Sequence, residues 1–116
     1  MGERVYRNQD FLRLLCKTTA PQRKALVRTA TTDQIESICE CALNVLRKNV
    51  PLTPSEIVKL RKNKRVIYKL ADKRVPVSKK RKKLEQAGGF LPALLVPILS
   101  TVLGLVGDTV VRKLIK

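Results

Sequence analysis

Residues 31–48 read Thr31-Thr32-Asp33-Gln34-Ile35-Glu36-Ser37-Ile38-Cys39-Glu40-Cys41-Ala42-Leu43-Asn44-Val45-Leu46-Arg47-Lys48. Ile35, Ile38, Cys39, Ala42, Val45 and Leu46 recur at steps of three and four, the spacing that gathers side chains on one face of an α-helix. Thr31 or Thr32, followed by Asp33 and Gln34, supplies the polar start such a helix needs. The chain around this stretch is therefore expected to be all-α.

Working outward, Asn8 or Asp10 can cap an earlier helix whose apolar positions Phe11, Leu12, Leu14 and Leu15 run to about Lys17. Pro21 then stands at the N1 position of a short second helix that ends near Ala30. Downstream, Thr53-Pro54-Ser55-Glu56 is a capping box with proline at N1. The fourth helix it opens has an apolar stripe of Ile57, Leu60, Ile67, Leu70 and Ala71, interrupted by Lys64. That helix either runs unbroken to about Lys73 or bends near Asn63. Aromatics are 3% of the 116 residues and Trp is absent, so the core must be built from Leu, Val, Ile and Ala, which suits short helices. At 44% apolar residues the composition is that of a folded protein.

The charge is +16, from 25 Lys and Arg against 9 Asp and Glu, with a pI near 10.4, and its distribution divides the chain. Residues 1–58 carry nine basic and six acidic groups, 59–83 carry thirteen and one, and 84–116 carry three and two. Three regions are expected: a helical module over 1–58, with the fourth helix running on from near 53; a polybasic segment over 59–87; and a hydrophobic, membrane-active tail over 88–116.

With no His and few carboxylates, the parts for general acid/base work, catalytic triads or metal-assisted hydrolysis are mostly missing, and no catalytic residue, metal or cofactor is expected. The three cysteines, Cys16, Cys39 and Cys41, lie in or beside apolar helical patterns; an odd count points to a reducing compartment without disulfides. Cys39 and Cys41 do not make a metal site, because residues two apart on a helix point about 200° away from each other. They read as core cysteines. Tyr6 stands where a myristoylation motif needs Ser or Thr, and Arg13, Lys17, Arg23 and Lys24 break every run that could serve as a signal peptide, so the product is expected to begin in the cytosol.

The polybasic segment supplies Lys59, Arg61, Lys62, Lys64, Arg65, Lys69, Lys73, Arg74, Lys79, Lys80, Arg81, Lys82 and Lys83, opposed by Asp72 alone. Self-repulsion at that density works against folding, and a polyanion that gives up counterions on binding is its natural partner. Duplex DNA is the expected ligand, anionic lipid the alternative. Without an Asn or Gln pair for adenine edges, and with Tyr68 the only ring for stacking, binding is expected to be blind to sequence. Lys79–Lys83 also has the form of a nuclear-localisation cluster, and Val75-Pro76-Val77 reads as a hinge with Ser78 a possible cap for a basic helix.

Gly88 to Gly107 holds no charged residue and reaches the length that spans a bilayer, with the polybasic run holding its N-terminal end in the cytosol. Pro92 and Pro97 interrupt it, and Ser100, Gly104, Asp108, Arg112 and Lys116 form a polar ridge. Phe90, Leu91, Leu94, Leu95, Ile98, Leu99, Val102, Leu103, Leu105 and Val106 form the expected membrane face of an interfacial or pore-forming helix. The alternatives are a stable transmembrane anchor and a buried helix in an assembly. The stretch from Phe90 to Ser100 also resembles the opening of short amphibian lytic peptides.

The order of these parts resembles a small basic protein of Polinton/Maverick elements and their adintovirus relatives over about residues 11–107: a helical module, Leu52-Thr53-Pro54-Ser55-Glu56, Leu70-Ala71-Asp72-Lys73-Arg74-Val75, Lys79–Lys83, then Gly88-Gly89-Phe90-Leu91 and an apolar tail. By analogy with adenoviruses, the resemblance implies a minor virion protein akin to the basic core peptide or the membrane-lytic internal protein. Gln86-Ala87-Gly88-Gly89, followed by Phe90, is similar to the sites cut by adenovirus-type maturation proteases. Cleavage after Gly89 would separate the basic body from Phe90–Lys116. The alternative is that Gly88-Gly89 is a flexible joint before a helix. The expected partners are thus duplex DNA, membrane lipid, a capsid protein and such a protease, with location in nucleus and virion and on membrane through the tail. The rival classes are a cellular tail-anchored or interfacial membrane protein and a capsid-cementing structural protein.

Overall fold

The computed structural model describes residues 2–100, and these form α-helices joined by short turns, with no strand among them. α1 (Glu3–Arg7) and α2 (Gln9–Lys17) meet at Asn8; α3 (Ala20–Thr29), α4 (Thr32–Leu46), α5 (Pro54–Lys62), α6 (Lys64–Ala71) and α7 (Val77–Ala87) follow, and a 3-10 turn over Gly88–Phe90 leads into α8 (Leu91–Ile98). The all-α expectation holds.

Local sequence chemistry sets most of the helix starts. Thr19, Thr31 and Thr53 each accept a bond from the N–H three residues on (Gln22, Gln34, Glu56), and that residue's side chain accepts the threonine's own N–H in return. Pro21 falls at the second position of α3, one place later than its N1 preference suggests, because Thr19 rather than Ala20 does the capping.

Two breaks come from asparagine. Asn8 and Asn63 hold near-identical backbone angles (φ −106°, ψ 17° and φ −115°, ψ 21°), and each donates its side-chain amide to a carbonyl four residues back, Arg4 at 2.8 Å and Lys59 at 3.0 Å. The backbone leaves the helical angles at both residues and a new helix opens after each, the side-chain amide satisfying a carbonyl of the turn that ends there. Asn63 therefore decides the fourth predicted helix in favour of the bend, and the second half stops at Ala71, short of Lys73. Asn8 sits at the N-cap of α2 without capping it through its side chain; Asp10 lies within the first turn, and α1 was not foreseen.

α4 is the central element, packed by α1, α6, α7 and α8. Being covered on several sides, it buries Ser37 and Cys41 besides its expected stripe, and the Ser37 hydroxyl donates to the Gln34 carbonyl at 2.6 Å. It ends in a left-handed residue, Lys48 (φ 60°), with Asn49 N–H bonded to Asn44 O at 3.0 Å and Lys48 N–H to Val45 O at 3.1 Å. That is the Schellman arrangement, formed here with lysine in the place glycine usually takes.

α8 is apolar on all sides, the pattern of a helix whose surroundings are protein or lipid. It lies against α2, α4 and α5, and Leu91, Leu94, Leu95 and Ile98 are wholly buried. The chemical boundaries near 58 and 87 are not packing boundaries: Val5, Ile38, Leu60, Leu84, Phe90 and Leu94 belong to one continuous core.

Candidate nucleic-acid interface

The thirteen cations of 59–83 are dealt out by helix geometry. Lys59, Arg61 and Lys62 lie exposed on α5, Lys64 and Arg65 on α6, and Lys79 and Lys82 on α7, while Lys73 is exposed between them. Lys69 and Lys83 are half-buried at the edges of the same faces. Asp72 is occupied: Arg74 donates to it from its backbone N–H at 2.9 Å and from its guanidinium twice at 3.1 Å. The bonds from Arg74 hold the Asp72 carboxyl below its ordinary range.

Packing joins these faces. Lys59, Lys62 and Asn63 share a cleft of about 280 Å³ with Ala87, Gly89 and Phe90, so the end of α5 adjoins the end of α7. Lys83 lies one turn before Ala87 on the same side of α7, which places it toward α5. Arg61, Lys64 and Tyr68 edge a second cleft, of about 390 Å³, floored by apolar residues of α4, α5 and α6; Tyr68 is 61% exposed.

Two of the thirteen do not belong to this surface. The Arg81 guanidinium donates to the carbonyls of Ala30 (2.6 Å), Val27 (2.9 Å) and Arg28 (3.4 Å), closing the C-terminal end of α3, where a cation is favoured by the carbonyls left open. Lys80 is 6% exposed and faces inward. A linear count of charge could not separate them from their neighbours, because a helix turns successive residues by about 100°. Outside the basic run, Lys24 lies exposed on α3 and lines a cleft with Glu85, Gln86, Gly88 and Gly89, an adjacency hidden by sequence distance.

The residues expected to face membrane are placed differently from that reading. Phe90, Leu91, Leu94, Leu95 and Ile98 are core and Leu99 packs partly against it, so in this fold they present no free apolar face; Val102, Leu103, Leu105 and Val106 lie outside the described residues. No helix among the described residues is long and apolar enough to cross a membrane. Nor does the cleavage motif lie on an open strand. Gln86 and Gly89 are exposed and Gly88 is half-buried, but the Gly89–Phe90 bond sits in a helical turn with the Phe90 ring buried. Ser78 lies inside α7 and caps nothing.

Cys39 and Cys41 are buried in α4 and Cys16 is half-buried, all as free thiols. Burial pushes the Cys39 thiol up to about 11, against the pull of nearby Lys80, and raises Cys41 further. Such thiols are poor nucleophiles. Among the described residues no group of His, Cys, Asp or Glu could hold a metal ion.

No family model matches the chain, and no curated protein or solved structure shows a significant similarity to it.

Proposed function

We propose that this is a non-enzymatic protein that binds duplex DNA without sequence preference, through the exposed cations of α5, α6, the turn before α7, and the outer side of α7. The observation that carries the reading is a surface of exposed Lys and Arg whose nearby carboxylates are already engaged, Asp72 by Arg74, Glu85 by Arg28 and Glu56 by the Thr53 N–H. A surface so charged gains by releasing counterions from a polyanion. Helices present rigid rows of cations to phosphates, while no cluster of base-reading side chains accompanies them.

The setting is part of the same proposal. A minor virion component of the Polinton type is supported by the order of motifs, and nuclear entry by the cluster Lys79–Lys83, of which Lys79, Lys82 and Lys83 remain accessible or half-accessible. Contact with capsid protein belongs to that setting. Membrane interaction and cleavage after Gly89 both require Phe90 and its neighbours to leave the core, so in this proposal they follow a loosening of α8 and do not compete with DNA binding in the folded chain.

Fluorescence anisotropy with two unrelated duplexes, titrated across salt, tests the proposal. Equal affinities are expected, with a log–log salt slope that falls by about 0.9 for each phosphate left without its cation in a Lys59→Gln, Lys62→Gln, Lys83→Gln variant. Affinity for one duplex alone, or a slope untouched by the triple variant, overturns it. Retention on anionic liposomes in preference to DNA at equal charge would favour the membrane class instead.

A further inference from the structure

Lys80 is the one buried charged residue among the described residues. Among those residues no carboxylate lies within 4.0 Å of it and no hydrogen-bond partner of its side chain is found, whereas every fully sealed side-chain nitrogen or oxygen among them does have a partner. Its ammonium therefore opens onto a void, and the void is a cleft of about 610 Å³ between the N-terminus, α4, the end of α6 and α7. The stem is buried while the charge faces the recess without a partner there, an arrangement that favours an anion in the cleft.

The rest of the lining points the same way. Arg47 and Lys73 line the cleft, are exposed, and have no carboxylate partner among the described residues. The two acids in the wall are already engaged: Glu36 pairs with Arg4 at 3.2 Å, and Glu40 accepts the Gly2 N–H at 3.0 Å. Three cations without a carboxylate partner among the described residues thus line one recess of small-molecule size.

We propose that this cleft binds a small phosphate-class anion, with Lys80 as its buried contact and Lys73 and Arg47 at its mouth. The recess separates this site from the open basic surface: Lys80 lies below the reach of a duplex backbone, and a compact di- or triphosphate fits where a duplex does not. The phosphates can be those of an inorganic polyphosphate or of a nucleotide.

The test is isothermal titration of the full chain with inorganic tripolyphosphate and, separately, ATP. Saturable binding at one site is expected. Equal affinities assign recognition to the phosphates alone, and tighter ATP binding assigns a nucleotide. Lys80→Met, which keeps the stem and drops the charge, should weaken binding about tenfold to a hundredfold, the worth of a hydrogen bond to a charged group. Lys82→Met, on the exposed side of the same helix, should leave it unchanged, and duplex DNA binding should survive Lys80→Met. If Lys80→Met fails to fold, Arg47→Met at the mouth, outside the duplex-binding surface, gives the same comparison. No saturable binding, or equal loss in Lys80→Met and Lys82→Met, overturns the site; loss of DNA binding without loss of tripolyphosphate binding separates the failure of this site from that of the interface.

Discussion

Replacing Leu94 by Ala tests the most consequential placement in the fold. Leu94 is wholly buried in α8, among side chains of helices that precede it by thirty residues or more, and its neighbours Leu91, Leu95 and Ile98 are buried as fully. Truncation there removes apolar atoms from a site closed on all sides, where collapse is limited, and the cost of such changes is about 2–5 kcal/mol. A domain of this size holds about 5–15 kcal/mol in total, so the loss is a large part of its stability and should lower Tm by at least about 8 °C. Val96 on the same helix is 44% exposed, and Val96→Ala should fall within about 0.5 kcal/mol of the parent. Urea unfolding followed by circular dichroism measures both. Equal midpoints for the two variants and the parent would refute the packing of α8, and with it the conclusion that the start of the apolar tail is core.

Lys48→Gly relieves a left-handed residue at the end of α4 and should raise stability by about 0.5–1 kcal/mol, read as a higher urea midpoint at unchanged slope. Asp33 accepts from Arg7 (3.0 and 3.2 Å), Asn8 (2.9 Å) and Arg4 (3.1 Å), and these bonds hold its carboxyl far below the usual range. Its contribution is therefore present above the ordinary carboxylate pKa near 3.9 and fades as pH falls toward the folded value. Asp33→Asn should be less stable than the parent at pH 7 and show a smaller loss between about pH 4 and pH 2; parallel curves would contradict this. With a thiol reagent at pH 8, one phase is expected from the native chain, from half-buried Cys16, slower than a free thiol's because burial raises this thiol as well, and it should vanish in Cys16→Ser, whereas Cys39 and Cys41 should react only on unfolding.

Much of this was legible in the residues. The Thr-based caps are local, so Thr31 and Thr53 announce their helices, and the stripe from Ile35 to Leu46 follows from helical spacing. What local pattern could not convey was which neighbour covers which face. Gly88–Ile98 has the composition of a membrane segment, and only the fold shows that α2, α4 and α5 supply the apolar surroundings a bilayer would otherwise give. Cys41 and Ser37 lie off the predicted stripe for the same reason: α4 is enclosed rather than lying on a surface. The candidate interface was legible as a total of charge, but not as a surface, because Lys80 and Arg81 share the sequence context of Lys79 and Lys82 and differ only in the direction the helix turns them.

That difference changes how the basic run should be dissected. Neutralising all of Lys79–Lys83 would strip Arg81 from the carbonyls of Val27, Arg28 and Ala30 along with the surface cations. Those carbonyls would be left without their charged donor where α3 meets α7, at a cost of about 1–3 kcal/mol for each group that water cannot reach. Weaker DNA binding in such a variant would report unfolding as readily as the removal of cations from the phosphate-facing surface. Confining the change to Lys79, Lys82 and Lys83 keeps the Arg81 clamp and the Lys80 cleft intact, so any loss of affinity then belongs to the surface. The polycation is held to the core by one of its own charges, and the remaining charges are the ones free to meet a polyanion.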